Sequence, residues 1–459
     1  MKRAVLIAMT AFGVSCTHQI RIGQPTPPIT PTQTAAELEA RRFDNPGLQA
    51  FVETALHRSV SWPPEELNFQ LLTLTAFYFN PELAVARAQV EYAQAGMQTA
   101  SMRPNPVLDF SPGVPSPYLL GLGLAIPVIT AGKRGYAIEM AKDMHADAEL
   151  ELAELAWTVR GRIRAALLNA LAAERNAALA EEAQQLQESK LKRTAEQLEA
   201  GEIARTEWET ARAGLLDAEM VTRTAETQVS PTRAALAGVI GLPVEALADK
   251  QLVWPDFDEL PSLSAVAVAK VRRDAIVNRL DVRRALVQYE TTERKLQLEI
   301  ARRHPDFNIG PGYQLEESHS FFAPTLSIAL PLFNHNEGPI AEAESQRKIA
   351  AANLITVQAN VLARSEQALS QYVSEYRVSA AALAVNENWT QKQTPMVQRT
   401  VSAGEADWFA VNSVQIQSSA AEKTWVDSVF QAQIALGQLE EAVQKPLAVG
   451  DDVPMILPK

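Results

Sequence analysis

Six histidines, at positions 18, 57, 145, 304, 319 and 335, are the side chains most able to hold a transition metal, yet no two stand four residues apart. A helical paired-histidine zinc site needs that spacing. The single cysteine, Cys16, excludes a disulfide framework and a thiolate metal cluster. The sequence has no Gly-x-Ser-x-Gly elbow and no nucleotide-binding loop. Gly121-x-Gly123 lies inside an apolar run that reads as a strand, where small residues suit the lining of a barrel better than a phosphate cradle. With no catalytic set, cofactor site or metal site, the sequence predicts a non-enzyme.

Cys16 suggests a different chemistry. Lys2 and Arg3 precede an apolar stretch from Ala4 to Val14, and small residues lead into the cysteine. That order reads as a signal peptide over 1–15, with Cys16 where a bacterial lipobox puts its lipidated residue. Segment 16–64 reads as a lipidated start and extended tether, because Pro25-Thr26-Pro27-Pro28-Ile29-Thr30-Pro31 favours extended chain. After the first 15 residues no apolar run approaches the roughly 18–20 residues of a spanning helix. If this chain enters a bilayer, helices are not what cross it. Its 42 basic residues against 54 acidic ones give a net charge of −12, which argues against nucleic acid as a partner.

Proline positions outline the elements. Proline is excluded from most helix interiors, and the runs 128–230, 262–304, 340–394 and 396–445 contain none. Leu152, Leu155, Val159, Ile163, Ala166, Ala170, Ala173, Ala177 and Ala180 form a heptad-like seam whose alanines let backbones approach closely. A helix from Gly132 to Ala200 would reach about 100 Å at 1.5 Å per residue. Its charged flanks, including Arg160, Arg162 and Arg164, suggest solvent on at least one face. The proline-rich islands at 104–127 and 305–339 read as two hairpins, 106–127 and 306–331, with arms near the length of tilted membrane strands. Four strands cannot close a spanning barrel, so several chains would have to pool them. Leu124-Ala125-Ile126-Pro127 returns as Ile328-Ala329-Leu330-Pro331, and Ala200-Gly201-Glu202 as Ala403-Gly404-Glu405. A unit of roughly 200 residues is therefore read as duplicated, repeat 1 over 65–250 and repeat 2 over 251–446, joined near Pro231, Pro243, Pro255 and Pro261, with a tail at 447–459. Pro395, within a helical stretch, should kink or break it. The expected fold class is mainly α with a small β part: long antiparallel helices and two hairpins, whose strands several chains would pool if they enter a bilayer.

Asn80-Pro81-Glu82-Leu83, Arg103-Pro104-Asn105-Pro106, Gly132-Lys133-Arg134, Asn278-Arg279-Leu280-Asp281-Val282 and the two Ala-Gly-Glu turns resemble the outer membrane efflux protein family (TolC-like). With Cys16, the likeness is to its lipoprotein branch in export systems of the resistance-nodulation-division type. The resemblance implies a homotrimer whose 12 strands form one outer-membrane barrel continuous with a periplasmic helical tunnel. It implies a passive exit duct for metal ions or small toxic compounds, with a periplasmic adaptor (membrane fusion) protein, an inner-membrane pump and outer-membrane lipid as partners. Gly201 and Gly404 each end a long helix far from the hairpins, so they should mark the periplasmic tip. By resemblance, Ala200, Gly201, Glu202, Ile203 and Arg205, with Ala403, Gly404, Glu405, Ala406 and Asp407, would dock the adaptor. Where the family has a carboxylate ring this sequence has Ala410 and Ser413, which leaves Glu405 and Asp407 as the candidate constriction. Phe110, Tyr118, Tyr313, Phe321, Phe322 and Phe333 are candidate interfacial aromatics. Two other readings are an exit duct for type I protein secretion and a pore-less periplasmic coiled-coil adaptor.

Overall fold

The computed structural model describes residues 29–113, 119–263, 276–277, 279–316, 319–405, 407–447, 453–455 and 457. Segment 1–15, Cys16, Tyr118, Asn278, Ala406 and most of the tail lie outside these described residues. The chain divides into two units, 1–41 and 42–459. The first contains helix α1 (Pro31–Glu39); the second contains everything that follows.

Asparagines start the helices of the second unit. Asn45, Asn68 and Asn80 accept the orphan amides of α2 (Pro46–Leu56), α3 (Phe69–Phe79) and α4 (Pro81–Ser101), with proline in the first turn of α2 and α4. Among its described residues the span read as a tether thus holds helices. Leu48, Val52 and Ala55 of α2 are buried, because apolar residues spaced 3 and 4 apart give that helix one face to bury. Strand β1 (Glu66–Leu67) pairs in parallel with β4 (Gln251–Leu252).

Two long helices follow the first hairpin: α5 (Lys133–Glu199, 67 residues) and α6 (Arg205–Ile240, 36 residues). After α7 (Leu280–Ala301) and the second hairpin the order returns as α8 (Glu337–Glu387), a π-helical turn (Asn388–Gln393), α9 (Thr394–Ser402) and α10 (Trp408–Val443, 36 residues). The π turn ends two residues before Pro395, whose missing amide cannot continue the ladder, so the expected break is present. Pro231 corrects another expectation. It lies inside α6, which runs on to Ile240. Packing holds the helix across the lost hydrogen bond: Leu236, Ala237 and Ile240 are buried, and Arg233 pairs with Glu174 of α5 at 2.7 Å.

Helix α5 packs against α4, α6, α7 and α10. Val159, Ile163, Ala166, Ala170 and Ala180 of the seam are buried, and Leu152, Leu155, Ala173 and Ala177 are half-buried. The charged flank divides. Arg162 faces outward to Glu82, whereas Arg160 and Arg164 are 1% exposed. Being four residues apart, those two share the face that meets α10.

Candidate functional site

Three places carry the residues from which function can be argued: the sheet, the helix turns and the buried crossing of α5 with α10.

In the sheet, β2 (Val107–Gly113) pairs antiparallel with β3 (Leu119–Val128). The far side of β3 carries β6 (Gly312–Glu316) along one half and β5 (Phe307–Gly310) along the other. Strands β7 (His319–Phe322) and β8 (Thr325–Ile328) pair with β6 and β5 respectively. Pro311 and Pro324 split what are in effect two rows, since neither can donate to a ladder. The backbone nevertheless runs on across the first break, Leu124 N–H donating to the Pro311 carbonyl at 3.0 Å. At Gly310 the backbones approach so closely that a Cβ would collide with the Leu124 carbonyl. Both hairpins therefore form one four-row antiparallel sheet, open at β2 and at β7–β8.

Register separates the faces. Residues directly opposite in an antiparallel pair project to the same side. Phe110, Leu122, Tyr313 and Phe322 form one such row; Leu108 with Leu124, Ile126 with Ile309 and Leu326, and Val128 with Phe307 and Ile328 form others. Apart from Ser320, opposite Leu315, this face is apolar and largely exposed, with Phe110 at 61% and Phe322 at 73%. The opposite face carries Asp109, Ser111, Gly121, Gly123, Asn308, Gln314, Glu316, His319, Thr325 and Ser327, with Val107, Leu119 and Phe321 as apolar exceptions. Ten residues of β3 at about 3.3 Å each, tilted by about 40°, span about 25 Å, the height of the apolar band of a membrane barrel. Of the predicted aromatics, Phe110, Tyr313 and Phe322 share the apolar face and Phe321 does not. Phe333, after β8, is 99% exposed.

The motifs around the hairpins prove to be fasteners. Asn80 Nδ2 donates to the Val239 carbonyl at the end of α6 at 2.8 Å. Arg279, before α7, donates to the carbonyls of Glu441 and Ala442 at the end of α10 at 3.2 and 2.9 Å. Lys133 Nζ bridges the His304 carbonyl and Asp306, and Arg134 donates to the Ser101 carbonyl. The last two gather the ends of α4 and α7 and the start of α5 below the sheet, whereas the Asn80 and Arg279 contacts tie the starts of α4 and α7 to the ends of α6 and α10.

Both Gly turns share one geometry. Gly201 (φ 73°) and Gly404 (φ 76°) are left-handed. Gly201 N–H donates to Leu198 and Glu202 N–H to Gln197 at 3.1 and 2.9 Å; Gly404 N–H donates to Val401 and Glu405 N–H to Thr400 at 3.0 and 2.9 Å. That paired 5→2 and 6→1 closure is the Schellman motif, which satisfies the last carbonyls of a helix. Ala200, Glu202 and Asp407 line one groove of about 360 Å³ with Arg193, Gln197, Trp408 and Phe409. The two turns are therefore neighbours within one chain. Ala403, Gly404, Glu405 and Arg205 are exposed and Ile203 is half-buried, and none of these lines the groove. Asp407 caps α10 through the Ala410 amide at 3.0 Å, so its carboxylate is anchored. Sequence reasoning missed Trp408 and Phe409, although an aromatic pair directly after a capping aspartate was the available signal. The Arg193 guanidinium lies 5.7 Å from the Trp408 ring.

Where α5 crosses α10, Arg160 and Arg164 meet Glu440 Oε2 at 3.2 and 3.7 Å, and Arg164 also reaches Gln433 Oε1 at 2.8 Å. A cavity of about 520 Å³ opens beside them, lined in part by Gly161, Arg364, Gly437 and Glu441. Burial raises the Glu441 carboxyl above the usual range, partly offset by Arg279 and Arg160. Among the described residues no helix is long and apolar enough to cross a membrane, and no group of three or more His, Cys, Asp or Glu is placed to hold a metal ion.

Residues 76–242 match the family model described as outer membrane efflux protein. No curated protein matches the chain in sequence. Among solved structures, the outer membrane protein VceC of Vibrio cholerae is 17% identical over 83% of this chain and 97% of its own, with a TM-score of 0.65. The CmeC outer membrane channel of Campylobacter jejuni is 12% identical over 91% and 94%, with a TM-score of 0.64. The MtrE outer membrane channel of Neisseria gonorrhoeae, in its open state, is 16% identical over 83% and 89%, with a TM-score of 0.62. Residues 76–242 thus match the outer membrane efflux protein family model, in a chain that shares its fold with these solved outer-membrane proteins.

Proposed function

We propose that this chain is one subunit of a homotrimeric outer-membrane channel, the passive exit duct of a tripartite efflux system for metal ions or small toxic compounds. One observation carries the reading: among the described residues the sheet exposes a face that is apolar except for Ser320 and leaves both edges unpaired, while its other face is polar or small apart from Val107, Leu119 and Phe321. Water penalises such a face and lipid penalises such edges. Pooling strands between copies in a bilayer answers both, with the polar face turned to a lumen. A pore-less periplasmic scaffold would have no use for that arrangement. The helices support pooling in a ring. Helix α10 packs against both α8 and α5, whereas α6, which stands in the same place after the first turn, packs against α5 alone among the long helices. In a ring, α8 of the next copy supplies the missing neighbour, and exposed Leu216, Met220 and Val221 of α6 await it.

The turns at Gly201 and Gly404 are read as the periplasmic tip that docks the adaptor, with Glu405 and Asp407 as the constriction, the inner-membrane pump lying beyond. Cys16 is read as the lipid anchor to the outer membrane. Cys16→Ala should abolish acyl labelling while leaving channels assembled; unchanged labelling would contradict the anchor. The test of function is conductance. Purified protein added to a planar bilayer should give discrete channels, and a protein that binds the bilayer without ever conducting would overturn the reading.

A further inference from the structure

The apolar face ends at a rim of unusual charge. Segments 101–106, 129–134, 299–306 and 331–337 carry five basic side chains, Arg103, Lys133, Arg134, Arg302 and Arg303, against three acidic ones, Glu299, Asp306 and Glu337. Hydrogen bonds draw the four segments together. Arg134 reaches the Ser101 carbonyl, Thr130 N–H donates to Asp306 at 2.8 Å, and Asn336 Nδ2 donates to the Glu299 carbonyl at 2.7 Å. Three of the five cations are engaged within the rim: Lys133 by Asp306 at 2.7 Å, Arg302 by Glu299 at 2.6 Å, and Arg134 by that carbonyl. Arg103 and Arg303 are not. Both are exposed, each lies four residues before the first residue of a strand, Val107 of β2 or Phe307 of β5, and neither guanidinium has a partner among the described residues. Beside them the apolar surface continues through Met102 (66% exposed), Leu330 (67%), Leu332 (69%) and Phe333 (99%).

A guanidinium without a carboxylate, set at the border between apolar surface and water, matches one chemistry closely. It can grip a phosphate through two parallel N–H···O bonds while apolar neighbours enter the acyl region. We propose that the helix-proximal rim of the sheet is a collar for anionic phospholipid headgroups, with Arg103 and Arg303 as its two phosphate ligands in each chain. The proposal rests on the membrane reading above. It adds that the leaflet nearest the helices is held by charge as well as by apolar area, and that the collar fixes how deep the sheet sits.

The test uses the full-length protein reconstituted in vesicles of phosphatidylcholine alone, or with added phosphatidylglycerol. Native mass spectrometry then reads which lipid stays bound, and conductance is read in both compositions. Wild type should retain phosphatidylglycerol in preference to phosphatidylcholine. The Arg103→Gln/Arg303→Gln variant should lose about thirtyfold of that preference, as two cations near an anionic surface imply, while still conducting in phosphatidylcholine alone. The Arg103→Lys/Arg303→Lys variant should keep most of it, and Arg58→Gln, at an exposed site after α2, should change nothing. Unaltered lipid preference in the conducting double glutamine variant would overturn the collar and leave the channel reading standing. Wild-type protein that conducts in neither composition would overturn the channel reading, and the collar with it.

Discussion

Gly201 and Gly404 are the residues at which function and backbone geometry can be pulled apart. A Cβ at either would meet nothing within 4 Å, so alanine there costs only the left-handed strain of about 1 kcal/mol. Aspartate tolerates that conformation better but adds a carboxylate to the proposed docking surface. Gly201→Asp and Gly404→Asp should therefore cripple efflux-dependent resistance while trimers still assemble, and the alanine variants should be milder; normal resistance in both aspartate variants would refute docking there. Testing the constriction calls for Glu405→Gln with Asp407→Asn, since asparagine keeps the cap on α10 and removes the charge. Single-channel conductance should rise, and an unchanged value would move the constriction elsewhere. Glu441 makes a pH prediction. Its folded pKa is raised, so the folded state holds a proton that the unfolded state has already released, and stability falls as pH rises from the ordinary glutamate value through the raised one. Glu441→Gln should raise the unfolding temperature at neutral pH and flatten its dependence above pH 5; a lower temperature would contradict the assigned burial cost. At this scale the glycines were legible because the left-handed turn demands them. Trp408, Phe409 and the buried Arg160–Glu440 pair were not, because only the α5–α10 crossing, hundreds of residues apart in sequence, decides which charges are covered.

Strands and helices test the account differently. The alternation Leu120, Leu122, Leu124, Ile126 against Gly121, Gly123, Ala125 was visible in the sequence, and it alone assigns the two faces of β3. Arginine on the lipid side of a barrel costs about 2–4 kcal/mol at mid-membrane, whereas lumen positions tolerate charge. Leu122→Arg should therefore reduce membrane-inserted protein sharply in a fractionation assay, and Gln314→Arg should insert normally with altered conductance. Equal insertion of the two would mean that the faces are wrongly assigned. Proline was the less faithful guide to the helices. It marked the π turn before Pro395 but not the end of α6, since a proline inside a helix is tolerated where neighbouring side chains hold both flanks, as the Arg233–Glu174 pair and buried Leu236 do around Pro231. Nor could the sequence reveal that both hairpins share one sheet, because the β3–β5 and β3–β6 pairings join residues almost 200 positions apart.

For the whole molecule, the central claim is that a sheet open at β2 and at β7–β8 is completed only by other copies of the same chain. Long helices and hairpin positions pointed towards it in the sequence, yet the open edges become visible only once the rows are in register. Neither edge can stay unpaired in lipid, where each orphan backbone group costs several kcal/mol, so the solubilised protein should not be a single chain. The deciding measurement is the native mass of the full-length protein released from its detergent micelle, taken with the strand content by circular dichroism. The account predicts three chains per particle; a particle of one chain with undiminished strand content would contradict it.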